Sequence, residues 1–302
     1  MNNDRIQEIL DLMEEARLDY FLISDPQSIA YCTGYYNDPH ERMFVFMISK
    51  HGNHTLFMND LFYLDHDLDV NIVWHKDGQD AIQTIVDEMH FPGRIGIDKN
   101  WASHFLLDLM KKLPDAKYIN ASPCVDLVRM KKDLQEQVLM IESSKINDAV
   151  MEEIIPFIQE GVTEKQLAKK LDELFFKHHS TCYGAIVAFG KNAADPHHEN
   201  DDTLLRKGDC VLIDMGCVYK GYCSDMTRTF FYEGILEEEI KVYEIVKKAN
   251  EAAEAMIKPG VKLSDIDKCA RKVISDEGYG KYFTHRLSLI HISEPTRPEP
   301  IS

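Results

Sequence analysis

The chain lacks any C-x-x-C pair. Its seven cysteines, Cys32, Cys124, Cys182, Cys210, Cys217, Cys223 and Cys269, are odd in number and scattered. That argues against a disulfide framework and for a reducing compartment. Long apolar runs are also missing, so nothing reads as a membrane span. The opening Met1-Asn2-Asn3-Asp4-Arg5 leads into an amphipathic pattern rather than the apolar stretch of a secretory signal. The expectation is a soluble, cytoplasmic protein. Positive charge is scarce: 34 Lys plus Arg stand against 51 Asp plus Glu, a formal charge of −17. Such a field repels phosphate backbones and anionic lipid, so neither nucleic acid nor a membrane is an expected partner. An acidic surface attracts small cations, including metal ions and free peptide amino termini, and it also serves plain solubility.

What is present is ordinary globular material over 302 residues, enough for two cores. Ile6, Ile9, Leu10, Met13 and Ala16 recur at helical spacing. Strand-like runs follow at 19–24, 43–48, 54–58, 71–74, 94–97 and 117–119, with helical patterns at 80–89 and 102–112. Residues 1–125 therefore read as an α/β domain with a mixed sheet. The texture changes near Ser122-Pro123, and a charged amphipathic stretch over 134–159 opens a second region. Thr163-x-x-Gln166 is a capping-box pattern that predicts a helix to about His178. A β-rich segment over 184–232 and helices near 236–257 and 264–277 complete the pattern. Within this region Ile158, Gly161, Val162 and Leu167 match Ile257, Gly260, Val261 and Ile266 at a constant offset of 99 residues. A duplicated helix, Gly stop and capped helix is one reading, and a common local solution used twice is the other.

Residues Gly208 to Phe230 read as a hairpin with its turn near Tyr219-Lys220-Gly221. With Tyr219 and Lys220 as the loop, Asp214 and Asp225 become direct cross-strand partners about 5 Å apart. Two carboxylates beside Val211, Leu212 and Ile213 would repel, and one would be driven to stay protonated. A pair of divalent ions resolves the conflict, and an exposed hairpin with both carboxylates in solvent avoids it. Thr227 alternates onto the Asp225 face, where it can hydrogen-bond a ligand carboxylate. Upstream, Asn192-Ala-Ala-Asp-Pro-His197 is a loop that delivers a histidine 17 residues before Asp214. His197 is suited to oxyanion stabilisation or proton shuttling, or is a plain surface residue. His178-His179 at a helix end suits the helix dipole.

Asn-Ala-Ala-x-Pro-His, Gly-Asp-x-Val-Leu-Ile-Asp-x-Gly and Gly-Tyr-x-Ser-Asp-Met-Thr-Arg-Thr-Phe together resemble the sequence core of the pita-bread metallopeptidases, over about 134–286. The preceding segment resembles the N-terminal domain of aminopeptidase P, prolidase and creatinase. Methionine aminopeptidases generally lack that domain and creatinases lack the metal ligands, so the resemblance favours an Xaa-Pro peptidase. It implies an α/β N-terminal creatinase-like domain followed by an α+β pita-bread domain. It further implies Asp214 as a metal ligand, Asp225 as the bridging ligand and His197 as a catalytic histidine. The cofactors implied are two divalent metal ions, manganese first, with cobalt, iron or zinc as alternatives. The partners implied are a proline-containing peptide substrate and a second copy in a homodimer. His285 resembles a substrate-binding position on the approach to the family's next ligand. The family places that histidine in a Gly-His-Gly motif whose aligned residues here are Ser288, Leu289 and Ile290, so the histidine is absent, as are two further glutamates.

The run Leu287-Ser-Leu-Ile-His-Ile-Ser-Glu-Pro-Thr-Arg297 resembles a translated transposon-based sequencing adapter, with a barcode and resumed adapter accounting for 298–302. Residues 287–302 are therefore expected to be foreign, and His291 and Glu294 receive no role. The repeat agrees, since the step from Gly161 to Asp214 taken from Gly260 passes Ser302. The second half-sheet is expected to be missing, the second domain to expose apolar surface, and the chain as written to be inactive. The intact parent is expected to hydrolyse the bond between an N-terminal residue and proline. A metal-free creatinase-like amidinohydrolase and a non-catalytic peptide-binding protein of the same fold are the alternatives.

Overall fold

The computed structural model of the protein describes residues 1–90 and 93–287, so the expectations for Ser288 to Ser302 lie outside the described residues. Two compact units divide between Lys131 and Lys132.

The first unit runs α1 (Asn3–Glu15), β1 (Tyr20–Ile23), α2 (Pro26–Thr33), β2 (Val45–Ser49), β3 (Thr55–Asn59), β4 (Asn71–His75), α3 (Ala81–Asp87), β5 (Arg94–Ile97), α4 (Ser103–Lys112), β6 (Lys117–Asn120) and α5 (Ser122–Met130). Its six strands lie in the order β4-β3-β2-β1-β5-β6. The sheet is mixed, with β1–β2 and β2–β3 antiparallel and the other pairs parallel. Because side chains alternate along a strand, β1 sends Phe21 and Ile23 to a core shared with α1, α2 and α5. It sends Tyr20 and Leu22 to another core shared with α3 and α4. Both faces are covered, which is why β1, β2 and β3 are buried throughout.

The unit break falls later than Ser122-Pro123. There the proline sits in the first turn of α5, a position that tolerates its missing N–H. Cys124, Val125 and Val128 of α5 then join the core of the first unit.

The second unit runs α6 (Leu134–Ile154), α7 (Glu164–Lys177), β7 (Thr181–Cys182), β8 (Ile186–Phe189), β9 (Cys210–Tyr219), β10 (Tyr222–Phe231), α8 (Glu237–Glu254) and α9 (Leu263–Asp276). The α-helix α6 stops short of residue 159 because Pro156 interrupts it and a 3-10 turn over Ile155–Phe157 takes over. Both α6 and α7 begin with capping boxes, from Asp133 to Glu136 and from Thr163 to Gln166. Helices α7 and α9 start 99 residues apart, each preceded by a glycine in the left-handed region, Gly161 at φ 81° and Gly260 at φ 88°.

In the antiparallel sheet β9 is central, with β10 on one side and β7 and β8 on the other. Val211, Ile213, Met215 and Cys217 of β9 pack with Met151 and Ile154 of α6 and Leu171 and Phe175 of α7. Helices α8 and α9 build a separate small core around Ala249, Ala253 and Ala270. No helix among the described residues is long and apolar enough to cross a membrane.

Candidate metal and substrate site

The hairpin turn is Lys220-Gly221, with φ of 48° and 83°. Left-handed backbone at both central positions is the primed turn that matches strand twist. Tyr219 therefore pairs with Tyr222, Asp214 with Thr227 and Gly216 with Asp225. This corrects the expectation that Asp214 and Asp225 face each other directly: the register is shifted by two residues. A shift of two keeps every side chain on its own face. The two aspartates thus remain on one face as diagonal neighbours, about 7–8 Å apart rather than 5 Å.

The opposite face of β9 is the one packed into the core, while Asp214, Asp225 and Thr227 are half-buried. Thr227 Oγ1 donates to Asp214 Oδ1 at 2.6 Å, which orients that carboxylate. Gly216, opposite Asp225, lies under the chain at Tyr183, and a Cβ there would meet the Tyr183 carbonyl oxygen at 3.2 Å and that of Ser224 at 3.1 Å. A cavity of about 660 Å³ runs along β10, lined by Asp225, Thr227, Asn147, Tyr243, Asn250 and Phe283 among others.

His197 is exposed in the loop after β8. Its ring centroid lies 5.5 Å from that of His285, edge-on at 88°. The His285 segment is held by Arg271 of α9, which donates to the carbonyl oxygens of Phe283 at 2.6 Å and His285 at 3.1 Å. The four site residues named from the sequence thus form two pairs, the aspartates on the hairpin face and the histidines joining the His197 loop to the chain after α9. Phe283, two residues before His285, shares the cavity with Asp225.

Sequence reasoning passed over Glu164, the fully buried first residue of α7. One of its oxygens accepts from Phe189 N at 2.8 Å and Asn192 Nδ2 at 2.9 Å. The other accepts from Asp201 N at 3.0 Å and lies 2.6 Å from His198 Nε2. That contact ties the His198 ring to the buried carboxyl group. Glu164, His198 and Asp201 have the composition of a cation site, with ligand atoms within 4.8 Å of one another. The donors already surrounding Glu164 fill both of its oxygens, so the cluster is a hydrogen-bond hub. The only local hint in the sequence was an acidic residue directly after the cap Thr163.

The model of metallopeptidase family M24 matches residues 138–292, and that of the creatinase/prolidase N-terminal domain matches residues 5–131. The chain belongs to metallopeptidase family M24, with a creatinase-type N-terminal domain followed by a pita-bread domain. An uncharacterized peptidase of Staphylococcus aureus is 31% identical over 292 residues, covering 94% of this chain and 82% of the relative. Among solved structures, a dipeptidase from Pyrococcus horikoshii is similar at 34% identity and a TM-score of 0.84, covering 94% of this chain and 81% of its own. A prolidase from Thermococcus sibiricus is similar at 29% identity and a TM-score of 0.88, covering 95% and 81%. An Xaa-Pro dipeptidase from Bacillus anthracis is similar at 26% identity and a TM-score of 0.84, covering 94% and 80%.

Proposed function

We propose that this protein is built for metal-dependent hydrolysis of the bond between an N-terminal residue and a following proline. The observation that carries the reading is the placing of Asp214 and Asp225 on one open sheet face, with Thr227 bonded to the first, in a chain similar to prolidases and Xaa-Pro dipeptidases. The aspartates fit as holders of two divalent ions, manganese first, because clustered carboxylate oxygens are the hard donors such ions take. Bound there, the ions would supply Lewis acidity and a nucleophile at neutral pH.

The remaining steps fall to side chains. Thr227 fixes the direction of the Asp214 carboxylate. His197, exposed and beside His285, donates an imidazole N–H to the scissile carbonyl oxygen as negative charge develops there. His285 packs edge-on against that ring and lines the approach of the peptide. The acidic surface favours the free amino terminus of the substrate. All seven cysteines are unpaired, which supports work in a reducing, cytoplasmic setting.

The activity is proposed for a chain that carries the family's further histidine and two glutamates, so the source gene is first read across the codons for Thr284 to Ser302. Cleavage of an Xaa-Pro dipeptide is then compared with the same dipeptide ending in alanine, with manganese and after chelation. The reading expects proline-dependent cleavage that the chelator stops. Chelator-resistant turnover of a guanidino compound would replace it with the creatinase-like activity.

A further inference from the structure

We propose that Glu164 and His198 are positioning residues for His197, an inference that rests on the catalytic part given to His197 above. The loop between β8 and β9 has little regular structure of its own, consisting of a 3-10 turn over Gly190–Ala194 and then irregular chain. It is tied instead to the start of α7. Glu164 gathers contacts from Phe189 at the end of β8 and from Asn192, His198 and Asp201 in the first part of that loop. The backbone adds to the clamp: Glu164 N donates to Thr203 O at 3.2 Å and Lys165 N to Asp201 O at 3.2 Å. A buried carboxylate is tolerable only with such a set of donors, and its place in the first helical turn favours negative charge.

Direction follows from adjacency. Asp195 Oδ1 accepts from His197 N at 3.0 Å and Asp195 O accepts from His198 N at 3.3 Å, closing a tight turn. With that backbone closed and the His198 ring turned inward to a fully buried carboxylate, the neighbouring His197 side chain is left on the outer side, against His285. His198 is thus the anchor and His197 the working residue of the Pro-His-His sequence.

The test needs neither metal nor substrate, so its failure and a failure of peptide cleavage are separate results. In this chain, the contact between the His197 and His285 rings is read by proton NMR, and amide exchange is followed at Asp201, Phe189, Val211 and Ile213. His198→Ala is expected to abolish the ring contact and speed exchange at Asp201 roughly tenfold, the scale of losing a hydrogen bond to a charged group. Val211 and Ile213 of β9 should keep their protection. His198→Gln, which retains a donor, should restore the ring contact. Glu164→Gln, which turns one acceptor pair into a donor, should not. An intact ring contact in both His198→Ala and Glu164→Gln overturns the proposal. So does loss of protection throughout β9, which would make the pair a general support of the domain.

Discussion

The two sheets differ in how many faces they bury. In the first unit helices cover both sides, and β1, β2 and β3 are buried at every residue. In the second unit α6 and α7 cover one face of β9, while its other face carries Asp214 and, across the hairpin, Asp225 and Thr227. Twice-covered strands have no room for polar ligands. The proposed chemistry falls where packing stops, and the comparison predicts that core deletions are costly in the first sheet while truncations on the open face spare stability.

Phe57→Ala, at a β3 residue with no exposed surface in the core shared with α3 and α4, is expected to cost about 3–5 kcal/mol in urea unfolding of the first unit. Leu212→Ala, half-buried on the open face of β9, should cost roughly 1 kcal/mol in urea unfolding of the second unit; equal losses would break the contrast. Gly216→Ala should fall between them, at about 1–3 kcal/mol, since the new methyl presses on the Tyr183 backbone. Removing the cap of α7 by Thr163→Ala should cost about 1 kcal/mol.

The smallest effect is in thiol chemistry, where burial acts alike in both units. Burial raises the Cys32 thiol to about 12, against the opposing charge of Arg129. Burial, then the charge of Asp172, raises Cys182 to about 12. Burial, then the charge of Glu239, raises Cys210 to about 11. A thiol with a pKa near 12 is ionised to about one part in ten thousand at pH 8. Mass spectrometry after iodoacetamide at that pH should find all three unmodified, with alkylation rising first at Cys210 as pH approaches 11.

Much of this was legible from pattern alone. The alternation in β9 and β10 shows which residues share a face, and the capping box at Thr163 marks the start of α7 within a residue. The hairpin register was not legible, because Lys220 adopts a left-handed backbone that non-glycine residues seldom take. Helix α2 was missed although Asp25 caps it, Pro26 opens it and Gly34 closes it; eight residues are too few for periodicity to speak. The boundary was set at the change of texture near Ser122-Pro123, where the proline in fact opens α5. Glu164 was invisible for a different reason. Its four partners come from residues 25 to 37 positions away, and only the folded loop brings them together.

The most direct test of the account is the effect of Asp225→Asn in the protein carrying the family's remaining ligands, assayed with manganese on an Xaa-Pro dipeptide. The account predicts loss of metal-dependent cleavage with the melting of the first unit unchanged. Full activity in Asp225→Asn at full metal occupancy would contradict it and remove the open hairpin face from the chemistry.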